Sequence, residues 1–292
     1  MSNYCVVLNY NDADETIRFC NYLSKYKIVD KIIVVDNCST DNSISRLKEM
    51  ENEKIIILQS YENNGYAAGN NVGVRYILEN YEDGNIIISN PDIIIDESAV
   101  IGILDALNDT SVGMATGVIY TSGEIVSNYA WRNPTASELL VHNFFILHKL
   151  LKNTKYNYYY SKDRLSDDYV ECNCVPGCFF CLRIDVIKNI GLLDERTFLF
   201  GEENILGWKL KQAGYKTVVT SKYKLTHTGG HSIKKSRTKK KTTRKYAEES
   251  LQLYIKEYLK CNVLQQKLFH YIFWIAQFEQ DIVLCALRLL GR

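Results

Sequence analysis

The first 118 residues alternate between short apolar runs and segments whose apolar residues recur at helical spacing. Each run is rich in Ile and Val, which is typical of buried strands. Strands that alternate with helices predict βαβ units and a mostly parallel sheet, and such sheets bind ligands at the carboxyl ends of their strands. The predicted strands are Tyr4–Leu8, Lys31–Asp36, Lys54–Leu58, Asn85–Ser89 and Val112–Val118, and the predicted helices are Ile17–Tyr26, Ser43–Met50, Ala67–Tyr81 and Ala99–Leu107.

The pattern is weaker between residues 119 and 170. Tyr156 and the run Tyr158–Tyr160 make this stretch aromatic and polar, which fits a loop over a site or an irregular connection. Regular spacing then returns. It predicts strands over Val175–Leu182 and Lys216–Val219, and helices over Asp185–Asn189 and Glu202–Gln212.

The C-terminal stretch Tyr246–Arg292 predicts two helices, since it contains no Pro. In the second helix, His270, Gln277, Asp281 and Arg288 share one face. Charges interrupt its apolar residues too often for a membrane span. We therefore expect an amphipathic helix that either packs on the preceding domain or lies on a membrane surface.

Composition indicates a globular protein of one or two domains. The chain has 292 residues, 46% hydrophobic and 24% charged, with a net charge of +1. The segment Lys234–Lys245 holds eight basic residues, so the rest carries 27 basic against 34 acidic side chains. Its lack of aromatic interleaving argues against a nucleic-acid binder. The segment is either a solvated loop or a contact for phosphates or a membrane surface.

The nine cysteines indicate a reducing compartment. The first residues form no long apolar run, so we expect no signal peptide, a cytoplasmic location and mostly free thiols. Cys178 and Cys181 are spaced like half of a zinc site. Phe179 and Phe180 lie between them, which favours a buried strand.

Polar residues follow two of the predicted strands. Asp36 ends its strand and precedes Ser39 and Asp41, so these residues either contact a nucleobase or ribose or cap the next helix. Asn90 and Asp92 follow Asn85–Ser89 in the turn Asn-Pro-Asp. A carboxylate there can hold a divalent cation that neutralises a diphosphate, although such turns are common.

Three further motifs point to a ligand site. The segment Asn63–Gly73 is dense in Asn and Gly before a helix, which favours a ligand loop over a simple turn. Glu202 and Glu203 open a helix, where they either interact with its dipole or supply a general base. His227 and His231 lie in a Gly-rich turn and are either structural or bind a metal or phosphate.

In this order the motifs resemble glycosyltransferase family 2 of the GT-A fold, especially bacterial rhamnosyltransferase-like members. The resemblance implies a GT-A domain over residues 1–235, with a Rossmann-like, mostly parallel sheet flanked by helices. A basic loop and a C-terminal α-helical extension follow over residues 236–292. The matching segments are Val6–Asn11, Val34–Asn37, Asn63–Gly73, Asn90–Asp92, Pro176–Arg183, Gly191–Glu195, Phe198–Gly214 and His227–Ser232.

The resemblance implies roles for the donor side. Asp36 would contact the nucleobase, and the nucleotide-sugar would also meet Asn9, Asn64, Gly69 and Asn70. The turn Asn-Pro-Asp looks like the family's DXD motif, with Asn90 in place of the first acid. Asp92 would then ligate Mg²⁺ or Mn²⁺, and His227 would approach the metal or the diphosphate.

It also implies roles on the acceptor side. Glu203 would be the base, with Glu202 as the second choice. Asp194 and Trp208 would meet acceptor or sugar hydroxyls. Ile205 stands where many members carry a further Asp, so we expect no site role for it.

These roles imply inverting transfer from a UDP-hexose or dTDP-rhamnose to a glycan acceptor in cell-surface polysaccharide synthesis. The basic loop and the last helix suggest a polyprenyl-diphosphate-linked acceptor at the inner membrane face, and the last helices can equally pair with a second copy. A catalytically silent subunit that binds a partner is the alternative. A nucleotidyltransferase is disfavoured because Asn9–Asp12 stands where its Gly-rich basic loop would be.

Overall fold

The computed structural model describes residues 1–229 and 240–289, which form an α/β fold around one sheet. Most strands arise from the Ile- and Val-rich runs of the sequence. They are β1 (Asn3–Asn9), β2 (Lys31–Asp36), β3 (Ile55–Gln59), β4 (Asn85–Ser89), β5 (Ile93–Ile95), β6 (Val112–Thr121), β7 (Glu124–Ile125), β8 (Tyr169–Cys172), β9 (Phe179–Arg183) and β10 (Lys216–His227).

Helices cover both faces of this sheet. Two 3₁₀ turns, Ala106–Asn108 and Lys162–Ser166, and one π-helical turn, Tyr254–Tyr258, connect them. The helices are α1 (Ala13–Leu23), α2 (Ser43–Lys48), α3 (Tyr66–Asn80), α4 (Glu97–Asp105), α5 (Ala136–Asn143), α6 (Phe145–Leu151), α7 (Ile184–Ile190), α8 (Glu202–Gln212), α9 (Lys240–Leu253) and α10 (Val263–Leu289).

The N-terminal half confirms the βαβ prediction. Strands β3, β2, β1 and β4 are neighbours in that order and all run parallel. One core packs α1, α2 and α4 against one sheet face, and a second core packs α3, α7 and α8 against the other. The carboxyl ends of β1, β2 and β4 therefore meet at one edge, which is where the sequence placed the donor motifs.

Beyond β4 the sheet becomes mixed. Strand β9 lies antiparallel between β4 and β6, and β10 runs parallel to β6. β10 continues to His227, well past the predicted end at Val219, because after an irregularity between Thr220 and Lys224 its last residues pair with β5. This extension carries His227 to the donor edge of the sheet.

The two predicted C-terminal helices are present as α9 and α10, and the predicted polar face of α10 contacts α9 while the side chains of His270 and Asp281 stay 48% and 45% exposed. Gln277 is buried, His270 Nδ1 lies 2.7 Å from Glu248 Oε1, and Arg244 pairs with Asp281. These polar groups turn toward α9, and apolar side chains face outward instead. Residues 230–239, with His231 and half of the basic segment, lie outside the described residues.

Within residues 1–229 and 240–289, no helix combines the length and the apolar character that crossing a membrane requires.

One close backbone approach fixes the start of α3 against the chain before α8. Gly65 has a φ of +95°, and a Cβ there would lie 2.1 Å from the carbonyl oxygen of Phe198. The next residue continues the contact, since the Tyr66 amide donates to the same oxygen at 2.9 Å. No side chain fits at residue 65 without separating these two segments.

We expect Gly65→Ala to lower the free energy of unfolding by about 2–4 kcal/mol, because it adds positive-φ strain to overpacking. Gly123→Ala is the matched control. Gly123 has a similar φ of +82° but no atom within 4 Å of its would-be Cβ, so about 1 kcal/mol is expected there. Urea unfolding measures both values, and equal losses would contradict the steric argument.

Candidate active site

Asn9 and Asp36 meet at the carboxyl ends of β1 and β2, as predicted, but both are fully buried. One Asp36 oxygen accepts from Asn9 Nδ2 at 2.8 Å and from Ser39 Oγ at 2.6 Å. The other accepts from the Ser39 amide at 3.0 Å. The Asp36 carboxylate is therefore occupied by protein donors, and in this conformation it shapes the turn after β2 instead of facing a ligand.

The Asn- and Gly-rich segment places its predicted residues in different environments. Asn64 is exposed and bonds Glu62 at 2.8 Å. Gly69 lets α3 approach β1, since a Cβ there would lie 2.5 Å from Leu8 Cδ1. Asn70 is buried and donates to the Tyr66 carbonyl, while its Oδ1 has no partner. Only Asn64 is exposed to solvent here, and Gly69 serves packing.

Asp92 and His227 form the clearest polar pair at this edge. Asp92 Oδ2 lies 3.1 Å from His227 Nε2, and the side chains are 7% and 26% exposed. The backbone fixes the pair, because the Thr228 amide donates to the Asp92 carbonyl at 3.0 Å. Two groups that are distant in sequence thus present a carboxylate oxygen and an imidazole nitrogen side by side.

This donor set fits a divalent cation that also binds phosphate. Among the described residues no cluster of three or more His, Cys, Asp or Glu side chains could hold a metal alone. A cation at Asp92 and His227 would therefore complete its shell with water and diphosphate oxygens, as is usual at nucleotide sites. The neighbouring Asn90 is half-buried, and its amide donates to the Cys178 carbonyl at 2.8 Å.

Glu202 and Glu203 open α8 directly after Gly201. Glu202 is buried and its Oε2 has no partner, whereas Glu203 is partly exposed. Burial raises the pKa of both carboxyl groups, and the neighbouring Glu203 charge adds to the shift of Glu202. The nearby backbone of Gly177 and Gly201 partly opposes the rise in the pKa of Glu203. Glu203 is therefore the accessible carboxylate with a raised proton affinity.

Cys178 lies near both Asp92 and Glu203. It directly precedes β9 and follows Gly177, and its carbonyl accepts from the Asn90 amide. Burial raises the pKa of its thiol to about 12, and the charges of Asp92 and Glu203 both contribute. Asp92 and Glu203 thus both lie near enough to this buried thiol to raise its pKa, which puts the two carboxylates in one region of the fold.

In the structure, the two predicted acceptor residues, Asp194 and Trp208, contact other side chains of the protein. The Asp194 carboxylate pairs with Arg196 and accepts from Tyr258 Oη at 2.6 Å. These bonds outweigh its burial and lower the pKa of Asp194 to about 2. The Trp208 ring packs edge-on against Tyr258, with centroids 5.2 Å apart. Both residues secure the turn after α9, and Ile205 is buried in the adjoining apolar cluster.

Sequence reasoning missed several neighbours of the glutamates. The Tyr66 hydroxyl donates to the Gly177 carbonyl, and Trp131 Nε1 donates to Asn204 Oδ1 at 2.8 Å. Trp131 also packs against Tyr159, with centroids 5.8 Å apart. Tyr66 lay inside the Asn- and Gly-rich motif, and Tyr159 lay in the aromatic run that fits a loop over a site or an irregular connection. Trp131 lay in the stretch without periodicity, where no spacing marked it.

Known structures with this architecture are glycosyltransferases of the GT-A class. A structure of GalNAc-T7 with UDP, GalNAc and Mn²⁺ has a TM-score of 0.59 and 13% identity over 78% of this chain and 44% of its own. PcManGT of Pyrobaculum calidifontis with GDP-Man and Mn²⁺ has a TM-score of 0.57 and 12% identity over 97% and 75%. S. aureus TarS with UDP-GlcNAc has a TM-score of 0.56 and 15% identity over 95% and 73%. These likenesses show the fold.

The chain belongs to glycosyltransferase family 2, whose family model, Glycosyl transferase family 2, matches residues 4–191. A curated relative is the low-salt glycan biosynthesis hexosyltransferase Agl10 of Haloferax volcanii, 25% identical over 199 residues. That match covers 68% of this chain and 58% of the relative, so the chain spans little more than half of the relative's length. The predicted family and GT-A fold are confirmed.

If Asp92 and His227 hold a cation, Asp92→Asn should weaken Mn²⁺ binding about tenfold or more in the presence of UDP. The fraction of free Mn²⁺ is measured by electron paramagnetic resonance. Asp96→Asn is the control, because Asp96 is exposed at the end of the same short strand. Equal Mn²⁺ affinity in both variants and the wild type would rule out this site.

Proposed function

We propose that the chain transfers a sugar from a nucleotide-sugar donor, a UDP-hexose or dTDP-rhamnose, to a glycan acceptor, with inversion and with a divalent cation. The observation that carries this proposal is the partly exposed Glu203, with its raised pKa, near the same Cys178 thiol as Asp92. The hexosyltransferase Agl10 supports a hexosyl donor and a glycan acceptor. Because Agl10 is named for glycan biosynthesis, we extend the proposal to a role in cell-surface polysaccharide synthesis.

The chemistry requires one base and one leaving-group partner. A Glu203 oxygen takes the proton from an acceptor hydroxyl as that oxygen bonds to the anomeric carbon. The bond between this carbon and the diphosphate breaks on the opposite face, and the nucleoside diphosphate leaves. A cation, when bound, offsets the charge that develops on the diphosphate. Asp92 and His227 would hold it, with Mn²⁺ and Mg²⁺ both candidates, and the imidazole donor favours Mn²⁺ over Mg²⁺.

A cavity lined by Tyr159 has the chemistry of an acceptor site. It measures about 590 Å³, and Tyr159 links it to the glutamates, because burial and the Glu203 charge both raise the pKa of Tyr159. Tyrosine faces and amide side chains suit sugar rings and hydroxyls. Two lysines add positive charge for an anionic group, such as a polyprenyl-linked diphosphate. The lining includes Asn128, His142, Lys152, Asn157, Tyr160 and Lys162.

Two expected associations stay predictions. Contact of the C-terminal extension with the inner face of a membrane would bring a lipid-linked acceptor to this cavity. Asp36, Asn9 and Asn70 would stabilise the turns at the donor edge, and those turns would contact the nucleotide. A catalytically silent subunit remains the rival outcome of the experiments below.

We expect Glu203→Gln to lower kcat about 10²- to 10⁴-fold in a nucleotide-release assay with Mn²⁺, while donor binding changes little. The wild type should lose activity as the pH falls through the raised pKa of Glu203, above 4.5, because the base must be deprotonated. Glu202→Gln is the comparison, since Glu202 is buried beside it. Full activity in Glu203→Gln would exclude Glu203 as the base. A wild type that binds nucleotide but turns over no donor would favour the catalytically silent subunit.

For the cavity, we expect the double variant Lys152→Ala, Lys162→Ala to raise KM about tenfold for monosaccharide 1-phosphates and to leave KM unchanged for the matching methyl glycosides. Donor hydrolysis without an acceptor should also stay unchanged. The control is Lys149→Ala, Lys155→Ala, which removes two exposed lysines that do not line the cavity. An equal effect of both double variants would show a general charge effect instead.

A further inference from the structure

Two histidines meet across a break between α5 and α6. His142 lies in the last turn of α5, and His148 lies in α6, six residues further along the chain. In one continuous helix, residues six apart are not neighbours. Here the backbone is extended at Phe144, where ψ is 132°, and His142 Nδ1 lies 3.1 Å from His148 Nδ1. The ring centroids are 4.3 Å apart, and the ring planes meet at 85°.

The two helices that carry this histidine pair are each anchored at their first turn. Helix α5 begins with a capping box, in which Thr135 and Glu138 bond each other's backbone amides. Helix α6 begins on α10, because the Phe145 amide donates to the Glu279 carboxylate at 2.7 Å. The pair is therefore built on helices with fixed ends, which is the kind of support that holds a binding site in one geometry.

Both imidazoles line the cavity of about 590 Å³ described above. Tyr159 Oη lies 3.4 Å from His142 Nε2, so the far nitrogen of that ring has its own polar neighbour and Nδ1 is the nitrogen that faces His148. Burial lowers the pKa of both histidines, to about 4 for His142. Both rings are therefore uncharged near neutral pH, which is the form of imidazole that binds a metal ion.

The distance between the two Nδ1 atoms fits a shared metal ion. A metal about 2.1 Å from each nitrogen would bind the two at an angle of about 95°. Octahedral and tetragonal sites require about 90°, so the two nitrogen atoms need to move little. Imidazole suits Zn²⁺, Cu²⁺ and Ni²⁺, whereas Mg²⁺ and Ca²⁺ prefer oxygen ligands. The pair therefore favours a late first-row cation.

We propose that His142 and His148 bind a late first-row divalent cation, such as Ni²⁺ or Zn²⁺, at a site that shares no residue with the pair of Asp92 and His227. No third His, Cys, Asp or Glu of residues 1–229 and 240–289 completes the site. Water from the cavity would fill the other positions. The Lys152 charge, which helps to lower the pKa of His148, also disfavours a cation there. An anion in the cavity would offset that charge and strengthen the binding.

Isothermal titration with Ni²⁺ tests the site. The background protein is the tag-free full chain with Cys38→Ser, Cys261→Ser and Cys285→Ser, which removes the three cysteines that are not buried. We expect His142→Asn and His148→Asn each to weaken the binding of one equivalent of Ni²⁺ about tenfold or more, because one of two protein ligands is lost. Equimolar Mg²⁺ should not compete, since it prefers oxygen ligands.

Three comparisons show whether the two histidines act together. The double variant His142→Asn, His148→Asn should lose the same single equivalent as each single variant, because two ligands of one metal are not independent. Asn153→Ala is the matched control, since Asn153 lines the same cavity and is not a proposed ligand. Asp92→Asn should also keep this equivalent. Circular dichroism should show all variants equally folded.

A second measurement keeps all histidines in place. In nuclear magnetic resonance spectra of the background protein, substoichiometric Ni²⁺ should broaden the ring protons of His142 and His148 before those of the exposed His270. Earlier or equal broadening of His270 would overturn the proposal. So would unchanged Ni²⁺ binding in both histidine variants, or losses that add in the double variant, and the pair would then be only a hydrogen bond between imidazoles. None of these readouts depends on glycosyltransferase activity.

Discussion

The contact between the start of α3 and the chain before α8 sets the geometry on which the candidate site depends. Helix α3 follows β3 and belongs to the donor half, whereas α8 carries Glu203. Gly65 abuts Phe198, the Tyr66 hydroxyl bonds the Gly177 carbonyl, and Asn71 donates to the Leu193 carbonyl at 2.9 Å. Because one close backbone approach and two side-chain bonds to carbonyl groups join these segments, the base cannot move relative to the donor edge without disturbing several contacts together.

Two electrostatic effects oppose each other at the two glutamates that open α8. A helix N-terminus favours negative charge, but the burial of Glu202 and Glu203 disfavours it, and the resulting pKa values are raised. Glu202 keeps one buried oxygen without a partner, which is costly and is usually tolerated only where function requires it. Glu203 instead is partly exposed, and the Gly177 and Gly201 backbone opposes the rise in its pKa. The two adjacent carboxylates therefore differ in role because of their surroundings.

The sequence predicted the fold best where apolar runs end sharply. β2 and β4 begin and end at the predicted residues because polar residues bound their Ile- and Val-rich runs. Among the site residues, the structure brings Asp92, His227 and Glu203 together, although their roles stay predictions. The bonds that occupy Asp194 could not be foreseen, since Tyr258 lies 64 residues away and no local spacing links them. Likewise, burial of Asp36 depends on Asn9 and Ser39 together.

Helix α10 packs on the preceding domain, which is one of its two predicted placements, and it also exposes apolar side chains on its outer face. Its inner face packs on α9 and on the π-helical turn, where Tyr254 bonds the Pro134 carbonyl at 3.3 Å and Tyr258 holds Asp194. Within α9 itself, Ser250 donates to the Leu199 carbonyl at 3.2 Å, and Leu199 lies two residues before Gly201. The extension therefore forms the wall behind the turn that presents Glu202 and Glu203. Since Phe269 and Phe273 of α10 pack on Tyr254 and Ile255, a shift of α10 would also disturb the wall that keeps the base in place.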